Sequence, residues 1–136
     1  MRINYIITAY NEPLLLNRTI EKLKHKNSYF YIHIDKRVSI TPFLPLNNIQ
    51  HVKLIEERIE SKWGDISTIE AIYNCLIKAN NDSKDEKSYY VIMSGQDYPL
   101  KSANYIHTFF EKNYLFYLKC NNKTKLDYNT KKKYLQ

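Results

Sequence analysis

Glycine is nearly missing from this chain. Its 136 residues contain two, Gly64 and Gly95. Neither a GxGxxG nor a GxxxxGK[ST] pattern is present, so phosphate-cradling loops of those two kinds are excluded. Ser94 is followed by Gly95-Gln96-Asp97 and is not flanked by glycines, which excludes the nucleophile elbow of serine hydrolases. Cysteine is equally scarce. Cys75 and Cys120 stand far apart with no partnering histidine, giving neither a zinc pattern nor a disulfide framework. No apolar run approaches the length needed to cross a bilayer. The first residues, MRINYIITAYNEP, run from a short apolar stretch into polar turn residues and read as a first strand, not a signal peptide. A reducing, cytoplasmic setting is the expectation, with a peripheral membrane location as its alternative.

What is present is an ordinary soluble composition, 43% hydrophobic and 26% charged, with a net charge of +7. That charge is unevenly placed. Lys119, Lys123, Lys125, Lys131, Lys132 and Lys133 face a single acid, Asp127, so residues 119–136 read as a basic C-terminal tail on a domain spanning 1–118. Thirteen tyrosines accompany this charge. They fall mostly inside predicted elements instead of clustering with lysine as stacking platforms, which argues against nucleic acid as a partner.

Periodicity gives the order β-α-β-β-α-β-α-β. Strands are predicted at Ile3–Ala9, Tyr29–Ile34, Val52–Ile55, Tyr89–Met93 and Tyr114–Leu118. Pro13 opens a helix carrying Leu15, Leu16, Thr19, Ile20 and Leu23. A second helix follows Asp65, with Ile66, Ile69, Ile72, Leu76 and Ala79 as one apolar stripe and Cys75 buried beside it. Asn80–Lys87 is a charged loop, and a third helix covers about Ala103 to Lys112. Pro42 and Pro45 break regular structure between Val38 and Asn48. Alternation of this kind predicts an α/β fold, a mostly parallel sheet with helices on both faces.

In such sheets ligands bind outside the carboxyl ends of the strands. Thr8 to Glu12, His33 to Arg37 and Ser94 to Asp97 should therefore gather on one edge. His33 and Asp35 are two apart at a strand end and share a face. They could serve a metal, although no third ligand is near in sequence. Asp35 alone could accept from ribose hydroxyls or a base N–H, or could simply close a turn. Trp63 could be a stacking platform or an interior anchor. Asp97 precedes Tyr98-Pro99, where proline keeps Tyr98 out of the helical region and stiffens the turn that holds the carboxylate.

Taken together, YFYIHIDKR, ESKWGDISTIEAIYNCLIKA and YYVIMSGQDYPLKSANYIHTFF, in that order, resemble the core-2/I-branching glycosyltransferase family. That family includes β-1,6-N-acetylglucosaminyltransferases and peptide O-xylosyltransferases. The resemblance covers about Ile3 to Tyr117. It implies a GT-A-like, Rossmann-like fold, here truncated, and an inverting transfer from a UDP-sugar to a glycan or peptide acceptor. It also implies work without a metal cofactor, and this chain carries no DxD motif. By position, Thr8, Asp35 and Ser61-Lys62-Trp63 would contact the uridine, and Asp97 would lie near the donor sugar and acceptor. Many relatives carry His where this chain has Tyr10. No catalytic residue is assigned, because the family's glutamate base and its diphosphate-holding cations come from a segment later than the matched motifs. The expected role is a donor-binding half, weakly active or inactive alone and open to pairing with a second half-chain. A nonenzymatic remnant that pairs with another chain is the alternative.

Overall fold

A computed structural model describes residues 1–62, 64–84 and 87–112. Strand five, the basic tail and Trp63 lie outside the described residues. The element order is β1 (Arg2–Ala9), α1 (Pro13–Leu23), β2 (Ser28–Ile34), a 3₁₀ helix (Thr41–Asn48), β3 (Val52–Leu54), α2 (Ile66–Ser83), β4 (Ser88–Ser94) and α3 (Ala103–Lys112). The strands form one four-stranded sheet in the order β3-β2-β1-β4, and every pairing is parallel.

Alternate side chains of β1 serve two cores. Ile3, Tyr5, Ile7 and Ala9 pack with Leu16, Ile20 and Leu23 of α1, with Phe43 and Leu46 of the 3₁₀ helix, and with Ile106 and Phe110 of α3. Ile6 packs on the opposite face with Tyr31, Ile55, Cys75 and Ala79 under α2. Helices thus cover both faces, as a parallel sheet requires. Each fully buried leucine or isoleucine contributes about 1.5–3 kcal/mol relative to exposure. Burial raises the Cys75 thiol to about 12 and leaves it a buried apolar group.

The second helix differs from its expected pattern in two ways. It continues through Asn80 to Ser83, so the first half of the expected loop is helical. Its wholly buried positions are Ser67, Ala71, Cys75, Ala79 and Ser83, a strict four-residue repeat of small side chains. Ile66 and Ile69, placed in the buried stripe by periodicity, are 65% and 58% exposed. Small residues let the helix axis approach the sheet closely, which leaves the larger side chains Ile72 and Leu76 at the flank and Ile66 and Ile69 outside. Asp65 is the N-cap, accepting from the Ser67 N–H at 2.8 Å.

The amino edge of the sheet is tied by polar groups. The buried Arg2 donates to Asn4 Oδ1 at 2.8 Å and to Tyr31 Oη at 2.7 Å, and Tyr31 in turn donates to Asp82 at 3.0 Å. Lys53 closes the set on Asp82 at 2.6 Å. Nearby, His107 is buried with its ring stacked on His25, centroids 3.8 Å apart. Ser28 Oγ donates to the Leu23 carbonyl and so accepts from His107 Nε2 at 2.9 Å. The other ring nitrogen, Nδ1, is buried without a partner.

Burial, then the neighbouring His25 and the chain's amino terminus, lower the His107 pKa from 6.5 to about 4. The unfolded chain therefore binds a proton that the folded chain refuses between those values. Stability should be complete above pH 6.5 and should fall as the pH drops toward 4. Thermal melts between pH 7 and pH 4.5 are expected to lose roughly 5 °C or more. In His107→Gln, which keeps a donor for Ser28, the slope should be visibly shallower.

Candidate functional site at the carboxyl edge of the sheet

Register sets the geometry of this edge. Thr8 of β1 lies opposite His33 of β2 and Ser94 of β4. The three strands therefore end level. Two further bonds extend the match into the loops: the Asp35 N–H donates to the Ala9 carbonyl at 2.9 Å, and the Gly95 N–H to the Thr8 carbonyl at 2.8 Å. With strands about 4.8 Å apart, the ends of β2 and β4 sit within about 10 Å of each other across β1. Thr8, Asp35, Ser94 and Asp97 are thus brought to one rim.

Asp35 sits deepest. Its Oδ1 accepts from the Arg37 backbone N–H at 2.9 Å and from Arg37 Nε at 3.0 Å. Its Oδ2 accepts from Arg37 Nη2 at 2.8 Å and from the Ser61 N–H at 3.2 Å. Four donors fill the roughly four lone-pair sites of a carboxylate. The side-chain bond from Arg37 is the chief reason that the Asp35 carboxyl is held below its ordinary pKa; burial opposes it and the backbone donors assist. The pair is bidentate, the strong arrangement for arginine and carboxylate.

The same grip fixes the segment that follows β3. The Ile59 N–H donates to His33 Nε2 at 2.8 Å, and the Lys36 N–H to the Ile59 carbonyl at 3.0 Å. Nε2 accepts there, and burial lowers the His33 pKa. Arg58 donates to the carbonyls of Ile34, Asp35 and Val38. Ser61 therefore stands beside Asp35, its hydroxyl buried without a hydrogen-bond partner. The Lys62 N–H is bound to Ser67 Oγ at 2.9 Å, while its side chain is exposed. An open depression of about 390 Å³ lies here, lined by Lys36, Arg37, Arg58, Ile59 and Glu60.

Asp97 stands on the β4 side. Its Oδ2 accepts from the Ser94 N–H at 2.7 Å, and its own N–H donates to the Ser94 carbonyl at 3.0 Å. Thr19 of α1 donates to the Asp97 carbonyl at 3.1 Å. The carboxylate is exposed yet held, in keeping with the stiff turn read from Tyr98-Pro99. Gln96 Nε2 reaches Asn11 Oδ1 at 3.1 Å and Tyr10 Oη at 3.4 Å, tying the loop after β4 to the loop after β1. Sequence reasoning missed this tie. It also missed Arg37 and Arg58 as the residues that organise Asp35. An arginine two positions beyond a strand-end carboxylate was the available signal. Among the described residues, no three His, Cys, Asp or Glu side chains come together to hold a metal ion.

A parallel sheet clothed on both faces, with its polar loops level at the carboxyl edge, is an α/β arrangement of the kind a GT-A-like fold has. The sequence profile of the Core-2/I-Branching enzyme family matches residues 3–135, and the chain belongs to that family. It is similar to a xylosyltransferase of Ciona intestinalis, 23% identical over 123 residues, covering 85% of this chain and 14% of that protein. It is 27% identical over 104 residues to the mouse beta-1,3-galactosyl-O-glycosyl-glycoprotein beta-1,6-N-acetylglucosaminyltransferase 4, covering 74% of this chain and 23% of that protein. Rat xylosyltransferase 2 is 23% identical over 117 residues, covering 83% and 14%. The chain therefore spans less than a quarter of the length of these relatives.

Gly95 is where the edge tolerates least. A Cβ there would lie 2.5 Å from the Ala9 Cβ and 3.2 Å from its Cα, so β1 and the loop after β4 approach only because the side chain is absent. Gly95→Ala should destabilise the fold by about 1–3 kcal/mol. Urea unfolding read by circular dichroism checks this, and an unchanged midpoint would contradict the close approach.

Proposed function

We propose that this chain binds the nucleotide part of a UDP-sugar along the carboxyl edge, on the β2 side, and that the donor sugar and acceptor meet near Asp97. The level ending of β1, β2 and β4 carries this reading, because it sets two held carboxylates and a cationic depression on one rim of a glycosyltransferase-family fold. Thr8, Asp35, Ser61, Lys62 and Trp63 form the nucleotide side of the proposal. The relatives' names indicate acetylglucosaminyl or xylosyl as the transferred sugar class.

The proposed transfer is inverting and independent of a metal cofactor. An acceptor hydroxyl attacks the anomeric carbon as the UDP leaves from the opposite side. That step needs a base for the hydroxyl proton and positive charge for the departing diphosphate. No residue in the matched motifs is assigned as the base, so residues 1–136 alone are proposed to bind donor and to transfer weakly or not at all. A glycan or peptide is the proposed acceptor. The proposed location is cytoplasmic, or peripheral at a membrane; among the described residues no helix is long and apolar enough to cross one.

A second reading rests on one further observation. Ile92 of β4 is 58% exposed, and Ile66, Ile69, Tyr73 and Ile77 of α2 are exposed at helical spacing. Apolar surface of this kind marks interaction sites. Pairing with a second half-chain, whether or not the chain binds donor, is that reading.

Titration with UDP, followed by the fluorescence of the lone indole and by calorimetry, tests the first reading. Saturable binding in the micromolar to low millimolar range is expected, and Asp35→Asn should weaken it by about tenfold. No heat and no fluorescence change at several millimolar UDP would dispose of the donor-binding role.

A further inference from the structure

We infer that Gln96, Asn11 and Tyr10, where the loop after β4 meets the loop after β1, form a wall that reads the hydroxyls of a neutral pyranose beside Asp97. The inference deepens the reading above and rests on it in one respect: the sugar must arrive at the Asp97 end of the rim. Its first support is the way the Gln96 amide is held. Nε2 donates to Asn11 Oδ1 at 3.1 Å and to Tyr10 Oη at 3.4 Å, and Oε1 has no hydrogen-bond partner among the described residues. The side chain is exposed yet fixed in orientation. Its rotamer freedom is given up before any ligand arrives, which lowers the cost of binding one.

The same tie leaves complementary groups open on its other members. Asn11 accepts through Oδ1, so its Nδ2 remains a donor with no partner among the described residues. Tyr10 accepts at Oη and keeps its O–H to donate, and the residue is 52% exposed. Asp97 accepts from the Ser94 N–H through Oδ2, while Oδ1 has no partner among the described residues. Two open acceptors, Gln96 Oε1 and Asp97 Oδ1, thus stand with two open donors, Asn11 Nδ2 and Tyr10 Oη, on adjoining loops. The bond from the Gly95 N–H to the Thr8 carbonyl, 2.8 Å, and the close seat of Gly95 on Ala9 keep the two loops together.

Sugar hydroxyls donate and accept at once, which matches a mixed set of this kind. A pyranose also offers a face of C–H groups, suited to a tyrosine with an apolar body and a polar tip. Charge argues against an anion. Residues 10–12 and 94–100 contain two acids, Glu12 and Asp97, and no lysine, arginine or histidine. The next residue, Lys101, holds its ammonium over the Tyr105 ring, 5.2 Å from the centroid. A phosphate here would meet like charge, whereas a neutral sugar would not. A metal ion would lack ligands, since no three His, Cys, Asp or Glu side chains come together among the described residues. A basic peptide would use the two acids and leave the amides and the ring idle. The pyranose has two sources, the donor's transferred sugar and a residue of the acceptor, and both share this chemistry.

The test titrates the whole chain with UDP, with UDP-N-acetylglucosamine and UDP-xylose, and with lactose, read by calorimetry and saturation-transfer NMR. Saturation reaching the pyranose protons of a UDP-sugar assigns the donor's sugar to the wall; reaching those of lactose, it assigns the acceptor's. Gln96→Ala should weaken the ligand so identified by about tenfold. Tyr10→Phe, which keeps the ring and loses only the hydroxyl, should weaken it by about threefold. Both variants should bind UDP itself within about twofold of the parent. Equal loss of UDP and sugar in Gln96→Ala would show a purely structural tie and overturn the inference, as would sugar binding that neither variant changes. A parent chain that binds UDP but passes no saturation to any pyranose would overturn it and leave the donor-binding reading standing. Lactose binding that depends on Gln96, on a chain that never binds UDP, would uphold the wall and sink the donor reading. Tighter binding of a lysine-bearing peptide than of any sugar would give the two acids to a basic acceptor and overturn it. Thermal melts confirm that each variant is folded.

Discussion

The shared register of β1 with its two neighbours is the constraint on which the rest depends. β1 is buried on both faces and hydrogen-bonded on both sides. Side chains alternate along a strand, so a slip of one residue in β1 would exchange its two cores, moving Ile6 toward α1 and Tyr5 and Ile7 toward α2. The large ring of Tyr5, stacked on Phe30, and the small-residue seat for α2 forbid that exchange. Because packing fixes the register, the three loops leave the sheet at one level. The edge chemistry is a consequence of core packing several residues away.

On that edge the polar groups are held by one another instead of by solvent. Asp35 binds Arg37 and the Ser61 amide, and His33 and Arg58 bind the backbone on either side. A buried carboxylate without its arginine would be an uncompensated charge, a condition that costs several kcal/mol where it occurs. The arrangement therefore compensates a desolvated acid, costly alone, and fixes the orientation of Arg37. Asp97 follows a different rule. It is exposed and held by a short turn, so its carboxylate keeps access to solvent and to whatever meets the rim.

Much of this was legible from residue order, and the exceptions have physical causes. β1, β2 and β4 were readable because parallel strands covered by helices need continuous apolar runs, and YIITA, FYIHI and YYVIM supply them. α1 and α3 were readable from their spacing. The buried face of α2 was misread because periodicity weights large apolar residues, whereas close packing on the sheet selects small ones; Ala71 and Ser67 carry no hydrophobic signal comparable to Ile66 and Ile69. At the edge, Asp35 and Asp97 could be picked out as strand-end acids. That Asp35 would be fully engaged could not, since two of its anchors, Ser61 and Arg58, come from a segment with no periodicity of its own. Trp63 follows that segment in the sequence and lies outside the described residues.

The distribution of charge separates a general basicity from a local one. Residues 119–136 hold six lysines and one acid, which leaves fifteen basic and thirteen acidic residues over 1–118. Residues 1–118 are thus nearly balanced in charge. Lys36, Arg37 and Arg58 line one depression with Glu60, and Asp35 lies behind Arg37 as its ion-pair partner. The concentration follows from the fold: Lys36 and Arg37 leave the end of β2, and Arg58 crosses back to cap the carbonyls of that same turn. A local field of this kind is felt within about 10 Å at physiological salt. That range covers the strand ends of β1 and β4 and little beyond them. The charges gathered here, Asp35 among them, therefore act on one another and on the strand ends, and not on the protein at large.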